Sequence, residues 1–552
     1  MKRKACVATM LTIILFMLFA SIAWGAASDF SNDDRLVNQA QIERDILAEF
    51  EGRDYDLDNP LVKINPYGWS PLTALIMFDT PQPARIELTV KGKNSHSTIS
   101  HNFKTFTKHH EIPVYGLYAG KNNEVKLKID YKKGETITKR FIIETSPLPS
   151  DFPNVDVLKA VPGQVEDGLT FMVGSFAEVN RPFAVDINGD IRWYLDDKNA
   201  GVVGPIRRLA NGHIQLVSEK LEKSPYYHAS FYEMDLMGKI YTEFLRTGIH
   251  HEVREMPNGD FIVVTEKAGR DTTEDYIVIL DRETGLVKDR IDCREIFNIC
   301  PDPQKPSSDP TYGDDTHDWL HINAVWYVEE DNSILVSARH QDVVFKVDLD
   351  TKEVLWILSD PNDYWPENLI EKILTPVGKN FEYQYGQHAV MKLPNGDIFL
   401  YDNGNYRSKD PATALEAKDN YSRGVIYRVN ENDLTVKQIW QYGKERGSSL
   451  FTSYIGDVDY FGGKHYLINF GGIAFNNDGS IANSPWPLVA GEGYGIAHII
   501  EINKDKVIFE IEVNGITAAN YYRVERMKAY KDEQEYQLGR EGVQKGELVA
   551  EE

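Results

Sequence analysis

A short unit, a polar turn followed by an apolar strand, recurs through residues 148–552 and constrains the fold more than any other feature. It reads LANGHIQLVSEK, MPNGDFIVVTEK, EEDNSILVSAR, LPNGDIFLYDNG and FGGKHYLINFGG. A second type of unit alternates with it: YEMDLMGKIYTEF, VILDRETGLVKDRI, FKVDLDTKEVLWIL, YRVNENDLTVKQIW and IIEINKDKVIFEIE. The combined period is roughly 45–70 residues, as four-stranded propeller blades with long insertions produce. One unit supplies the inner strand pair of a blade and the other the outer pair. Five blades are clear. AVDINGDIRWYLDD supplies part of a sixth, closed by the C-terminal strands. The expectation is an all-β chain with a six-bladed β-propeller over 148–552.

The repeat places chemistry at fixed stations. GIHHEVREMPNGDFIVVTEK and YGQHAVMKLPNGDIFLYDNG share a histidine, five intervening residues and Pro-Asn-Gly-Asp, so His251 and His388 occupy one station twice. In HDWLHINAVWYVEEDNSILVSARHQ, Asn323 falls close to that station and His321 two residues earlier, on the same strand face. Innermost strands line a propeller's channel, and each second strand returns to the rim where the first began. Arg339 therefore arrives at that rim after ILVSA, as do Asp402 and Asn403 after IFLY. Three imidazoles and a guanidinium at one level suit an anionic group, with a histidine available as nucleophile or base. His96, His101, His109, His110, His213, His465 and His498 read as structural, and His340, next to Arg339 in a strand, should point the other way.

The N-terminal part differs. Lys2, Arg3 and Lys4, an apolar run from Ala8 to Ala20 and small residues between Ala23 and Ala27 read as a signal peptide over 1–27. The mature chain is then soluble and exported to the periplasm or beyond. Residues 28–58 read as a helical segment, with Leu36, Ile42, Ile46 and Leu47 at helical spacing. Over 59–147 the strands TALIMFDT, ARIELTV, HEIPVYGLY, EVKLKIDY and TKRFIIET suggest a small β-sandwich, and the prolines of SPLPSDFPNV suggest a linker.

The formal charge is −24, and loss of the leader, with three basic and no acidic residues, takes it to −27. That argues against nucleic acid and anionic membrane as partners. An anionic substrate must be held by a local basic cluster against the global field. Cys6 leaves with the leader. Cys293 and Cys300, in CREIFNIC, most simply form one local disulfide in an oxidising compartment, made by thiol-oxidising machinery. A loop so short contributes on the order of 2–3 kcal/mol.

Two chemistries compete for the cluster. A divalent metal could take the imidazoles, with carboxylates from Asp315, Asp318, Glu252 and Asp402, as in a metal-dependent hydrolase. No tight ligand motif supports this, and Arg339 is an awkward neighbour for a cation. Alternatively the cluster grips a tetrahedral oxyanion ester, one imidazole attacking while the others and Arg339 neutralise charge. Arg339 fits the second reading better, with no metal or other cofactor. A non-enzymatic anion-binding propeller is a third reading.

The segments around His321 and His388, together with IWQYGKERGSSLFTSYIGDVDY and NPYGWSPLTALIMFDT, resemble the bacterial aryl-sulfate sulfotransferases, which do not use the nucleotide sulfate donor. The resemblance covers most of the mature chain. It implies a six-bladed propeller, a β-sandwich-like N-terminal domain, a homodimer, and sulfuryl transfer between phenols by a ping-pong route. It implies that His388 is the nucleophile that becomes sulfated. It further implies that His251, His321 and Arg339 grip the sulfuryl oxygens, with Asn323 in support and a hydroxyl from Thr452 or Ser453. His321 is the candidate acid for the departing phenoxide. Nothing in the sequence shows what holds the His388 tautomer.

Overall fold

The computed structural model describes residues 34–174, 181–197, 200–223, 227–298, 317–361, 365–410, 412–515, 519–531 and 536–548. A helix, α1 (Asp34–Glu51), comes first. Its buried residues Gln39, Glu43, Ile46 and Phe50 recur at helical spacing along one face. Two are polar because the helix joins two bodies. Gln39 exchanges hydrogen bonds of 2.9 and 2.7 Å with the backbone of Ile240 in the propeller. Glu43 pairs with Lys239 at 2.5 Å and accepts a 2.8 Å hydrogen bond from Tyr67.

Five strands between Leu61 and Glu144 form the next body, a single hydrogen-bonded sheet. Its long second strand, Thr73–Val90, shifts register between Asp79 and Ala84, around Pro81 and Pro83. Proline cannot donate to a ladder, so the strand breaks its pairing there. The first half pairs with Leu61–Ile64 and the second with Asn122–Tyr131. Ala84, Ile86, Leu88 and Val90 bury one face against Val125, Leu127 and Ile129. Trp69 then locks this body to the propeller, donating 2.8 Å to the Gly238 carbonyl. Gly238 sits at φ 93°, and a Cβ there would lie 2.2 Å from the Trp69 indole nitrogen. Only glycine fits.

Six further sheets follow, each of four to six strands. The all-β class and the six blades expected from the repeat are what the structure shows. Their innermost strands are Tyr521–Met527, Ile206–Arg208, Val253–Glu255, Ile322–Val328, His388–Lys392 and Asp457–Gly462. The ring closes twice. Tyr521–Met527 pairs with Leu169–Gly174 as the innermost strand of the first blade. Asn154–Ala160 pairs with Lys506–Asn514 as the outermost strand of the last. Apolar side chains such as Ile262, Val264, Val336 and Phe345 fill the space between blades. Polar groups are thereby left to the channel.

Candidate active site

Just before an innermost strand begins, the backbone kinks. His251 (φ 59°) and His321 (φ 55°) adopt the left-handed region, and so do Val203 (φ 47°) and Ile455 (φ 50°) in other blades. In the fifth blade the kink falls one residue after the histidine, at Ala389 (φ 57°). Each such residue without glycine's freedom costs about 1–2 kcal/mol, held by the surrounding fold. The repeat thus presents one strained position several times, and chemistry fills only some copies. His321 precedes its strand rather than sharing a face with Asn323, because the pairing shifts between Ile322 and Ala324.

The structure brings His251, His321, Arg339 and His388 to one mouth, all buried. The His251 ring lies 4.9 Å from that of His321 and 5.5 Å from that of Tyr522, which is 6.3 Å from that of His388. Arg339 Nη2 donates to the Ser453 carbonyl at 3.1 Å. His340 belongs to this group, contrary to the sequence reading, which pointed it away. It lies in a turn rather than a strand, and its ring is 4.5 Å from His321. Its Nδ1 donates to the Asp318 carbonyl at 2.7 Å, and its Nε2 accepts from Arg339 Nη1 at 3.3 Å. Burial pushes its pKa down to about 4, so His340 is neutral and orients Arg339.

His388 is held in one tautomer. Asn403 Nδ2 donates to the carbonyls of Thr452 (3.0 Å) and Ile455 (2.7 Å), which fixes the amide's orientation. Asn403 Oδ1, 2.7 Å from His388 Nδ1, must then accept, so Nδ1 carries the proton and Nε2 keeps its lone pair. Burial, with Arg339 and Arg523 nearby, holds the His388 pKa well below the usual histidine value. The neutral form is the resting one.

His321 is the opposite case. Burial opposes its charge, but Glu274 (2.8 Å) and Asp318 (2.6 Å) at Nδ1 outweigh it and push the pKa up to about 10. A cation therefore stands 4.9 Å, ring to ring, from His251, which burial keeps neutral. His251 Nδ1 is 2.7 Å from His250 Nδ1, and His250 Nε2 is 3.0 Å from Glu266. The two environments thus hold neighbouring imidazoles in opposite charge states.

Asn323 supports rather than contacts. Its Nδ2 donates 2.7 Å to the Gln387 carbonyl and so holds the residue before His388. Of the two candidate hydroxyls, that of Thr452 is engaged by Tyr401, while Ser453 Oγ is buried without a hydrogen-bond partner among the described residues. Glu252 and Asp402 are drawn away by arginines: Arg207 pairs with the first, and Arg407 (2.9 Å) and Arg423 (2.8 Å) with the second. Asp315 and Cys300 lie outside the described residues, and Cys293 is buried with a free thiol. The histidines read as structural pair elsewhere, as His213 does with Glu233 at 2.7 Å and His465 with Glu501 at 2.6 Å.

Sequence reading missed Glu274, His250, Tyr522 and Arg523. The last two arrive on the closing strand. Tyr522 Oη and Arg523 Nη2 both donate to the Asn323 carbonyl, at 3.2 and 2.9 Å. The signal available was the expectation that a C-terminal strand closes the ring, which makes it innermost. Tyr522 also joins Val202, Val203, Tyr227, Tyr454 and Ile455 in a buried apolar cluster beside the imidazoles. Here the kink positions carry aliphatic side chains, and the mouth acquires an aromatic wall.

A propeller with a cationic, aryl-compatible mouth is the class that fold and geometry define. The arylsulfotransferase family model matches residues 154–523, and that of the arylsulfotransferase Ig-like domain matches residues 61–146. The chain belongs to the arylsulfotransferase family and is an aryl-sulfate sulfotransferase. It is similar to the arylsulfate sulfotransferase AssT of Escherichia coli, 27% identical, over 74% of this chain and 84% of that one. AssT of Lelliottia amnigena is 26% identical over the same shares, 74% and 84%. Among solved structures, the periplasmic gluconolactonase PpgL of Pseudomonas aeruginosa overlaps 81% of this chain and 100% of its own, at 9% identity and a TM-score of 0.30. The fold assignment rests on the six sheets themselves.

Proposed function

We propose that the enzyme moves a sulfuryl group from an aryl sulfate to a phenol through a sulfohistidine at His388. The carrying observation is the Asn403 hydrogen bond, which leaves Nε2 of His388 as a lone pair facing away from its anchor. That nitrogen attacks sulfur, the S–O bond to the aryl oxygen breaks, and the phenoxide takes the proton of His321. Arg339 and His251 hold the non-bridging oxygens, where charge stabilisation and positioning do most of the work. Neutral His321 then accepts the proton of the incoming phenol as its oxygen attacks sulfur. The S–N bond breaks and both histidines return to their starting forms.

The apolar cluster around Tyr522 supports aryl partners at both stages. The deciding assay supplies an aryl sulfate with and without a phenol, before and after chelation. Donor release that depends on acceptor and survives chelation supports transfer. A metal-dependent hydrolase is the rival, since His250, His251 and Glu274, and likewise Asp318, His321 and His340, offer ligand atoms close together. Loss of activity on chelation would favour it.

The pH dependence follows from His321. Its proton is retained through neutral pH and lost as pH rises through about 10. Single-turnover release of the donor phenol, without acceptor, is expected to be flat near neutrality and to fall with a limb near pH 10. Glu274→Gln should move that limb to lower pH, because one of the two carboxylates holding the proton is gone. An unmoved limb removes His321 as the acid. The same pairing stabilises the fold fully below the unfolded histidine value of about 6.5 and fades as pH passes the folded one.

Export to the periplasm and homodimer formation belong to the same proposal, as does a Cys293–Cys300 bond made on export from the thiol that stands free at Cys293 in this structure. Among the described residues no helix is long and apolar enough to cross a membrane. Thiol titration of the exported chain, denatured but unreduced, is expected to find no reactive thiol. Two thiols would refute the bond.

A further inference from the structure

The donor atoms behind the sulfuryl-gripping histidine form a second constellation. One ring nitrogen each of His250 and His251 and a carboxylate oxygen of Glu274 lie within 4.8 Å of one another, and all three residues are buried. His250 Nδ1 and His251 Nδ1 are 2.7 Å apart, and His251 Nδ1 is 3.8 Å from Glu274 Oε2. Rotation of the side chains would bring all three to about 2.0–2.2 Å from a common ion. Their outer partners are already those of a metal site. Glu266 lies 3.0 Å from Nε2 of His250, the far ring nitrogen, within reach of the hydrogen bond that carboxylates accept behind ligating histidines but not aligned for it here. Tyr227 donates 2.9 Å to Glu274 Oε1 and so turns Oε2 toward the imidazoles.

We infer that His250, His251 and Glu274 bind a divalent transition-metal ion of the nitrogen-preferring class, Zn²⁺ or Cu²⁺, and that this ion inhibits transfer reversibly. Two imidazoles and one carboxylate exclude Ca²⁺ and Mg²⁺, which take oxygen ligands. The site is regulatory, not a cofactor site. Binding moves the proton between the two Nδ1 atoms onto a far ring nitrogen, and protonation of either imidazole competes with the ion, so binding weakens as pH falls. It also draws Glu274 from His321, 2.8 Å away, and loosens the proton of the acid. The inference rests on the sulfotransferase reading for its effect on rate, but not for the binding itself.

Co²⁺ titration of the full-length mature enzyme, read by its visible ligand-field absorption, separates the two. One ion per chain is expected, displaced by Zn²⁺. His250→Ala should abolish the band, Glu266→Gln should weaken binding roughly 10- to 100-fold, and His340→Ala should leave binding in place. Circular dichroism shows that each variant is folded. Zn²⁺ should inhibit the wild-type enzyme, chelation should restore it, and His250→Ala should need at least roughly tenfold more Zn²⁺, by the same ligand-loss argument. No Co²⁺ band, a band kept by folded His250→Ala, or one lost only in His340→Ala overturns the site. Zn²⁺ binding at this site without loss of rate, or activity that requires the ion, overturns the inhibition.

Discussion

His388→Ala is expected to abolish transfer, and with it a covalent adduct that no other clustered histidine forms. The proposed ping-pong transfer needs an enzyme-bound intermediate; His388 combines a depressed pKa with an anchored Nδ1–H, and His340, which shares both features, has its Nε2 engaged by Arg339 Nη1. Donor without acceptor should add one sulfuryl mass, held by an acid-labile nitrogen–sulfur bond. Quenching at high pH and peptide mass spectrometry should place it on His388. His251→Ala and His321→Ala should be slowed yet still labelled. A label on another residue, or full activity in His388→Ala, would overturn the assignment.

Arg339→Ala is the next largest effect. Loss of a preorganised charged donor should remove roughly 2–4 kcal/mol of transition-state stabilisation, about 30- to 900-fold in kcat/KM. The guanidinium is buried and braced by the Ser453 carbonyl and by neutral His340. A lysine there keeps the charge but not the planar fork, so Arg339→Lys should recover only part of the rate. Near-normal turnover in the alanine variant would take Arg339 out of the site.

The propeller was legible because its repeat is local: each turn and strand carries its own pattern, and alternation of inner and outer pairs follows from it. Convergence of His251, His321, Arg339 and His388 was legible for the same reason, since equal stations in a closed ring must meet. His340 was misread because strand alternation was applied two residues past Ala338, where the strand ends. Glu274 was invisible because it is reached by a folded connection before Tyr276–Leu280 rather than by a repeat station. Asn403 had been placed at the rim, but its task depended on two carbonyls in the loop before Asp457–Gly462 that no spacing reveals. Tyr522 and Arg523 carry no motif, and their role comes from where the chain closes.

That closure ties chemistry to synthesis. The strand behind His388 leaves the ribosome after the other innermost strands, yet it completes the first blade. A chain stopped before Tyr521 has every clustered histidine but lacks the two donors on the Asn323 carbonyl. It also has an open seam where the first blade should finish. The frame around His388 is thus complete only once the closing strand has been delivered.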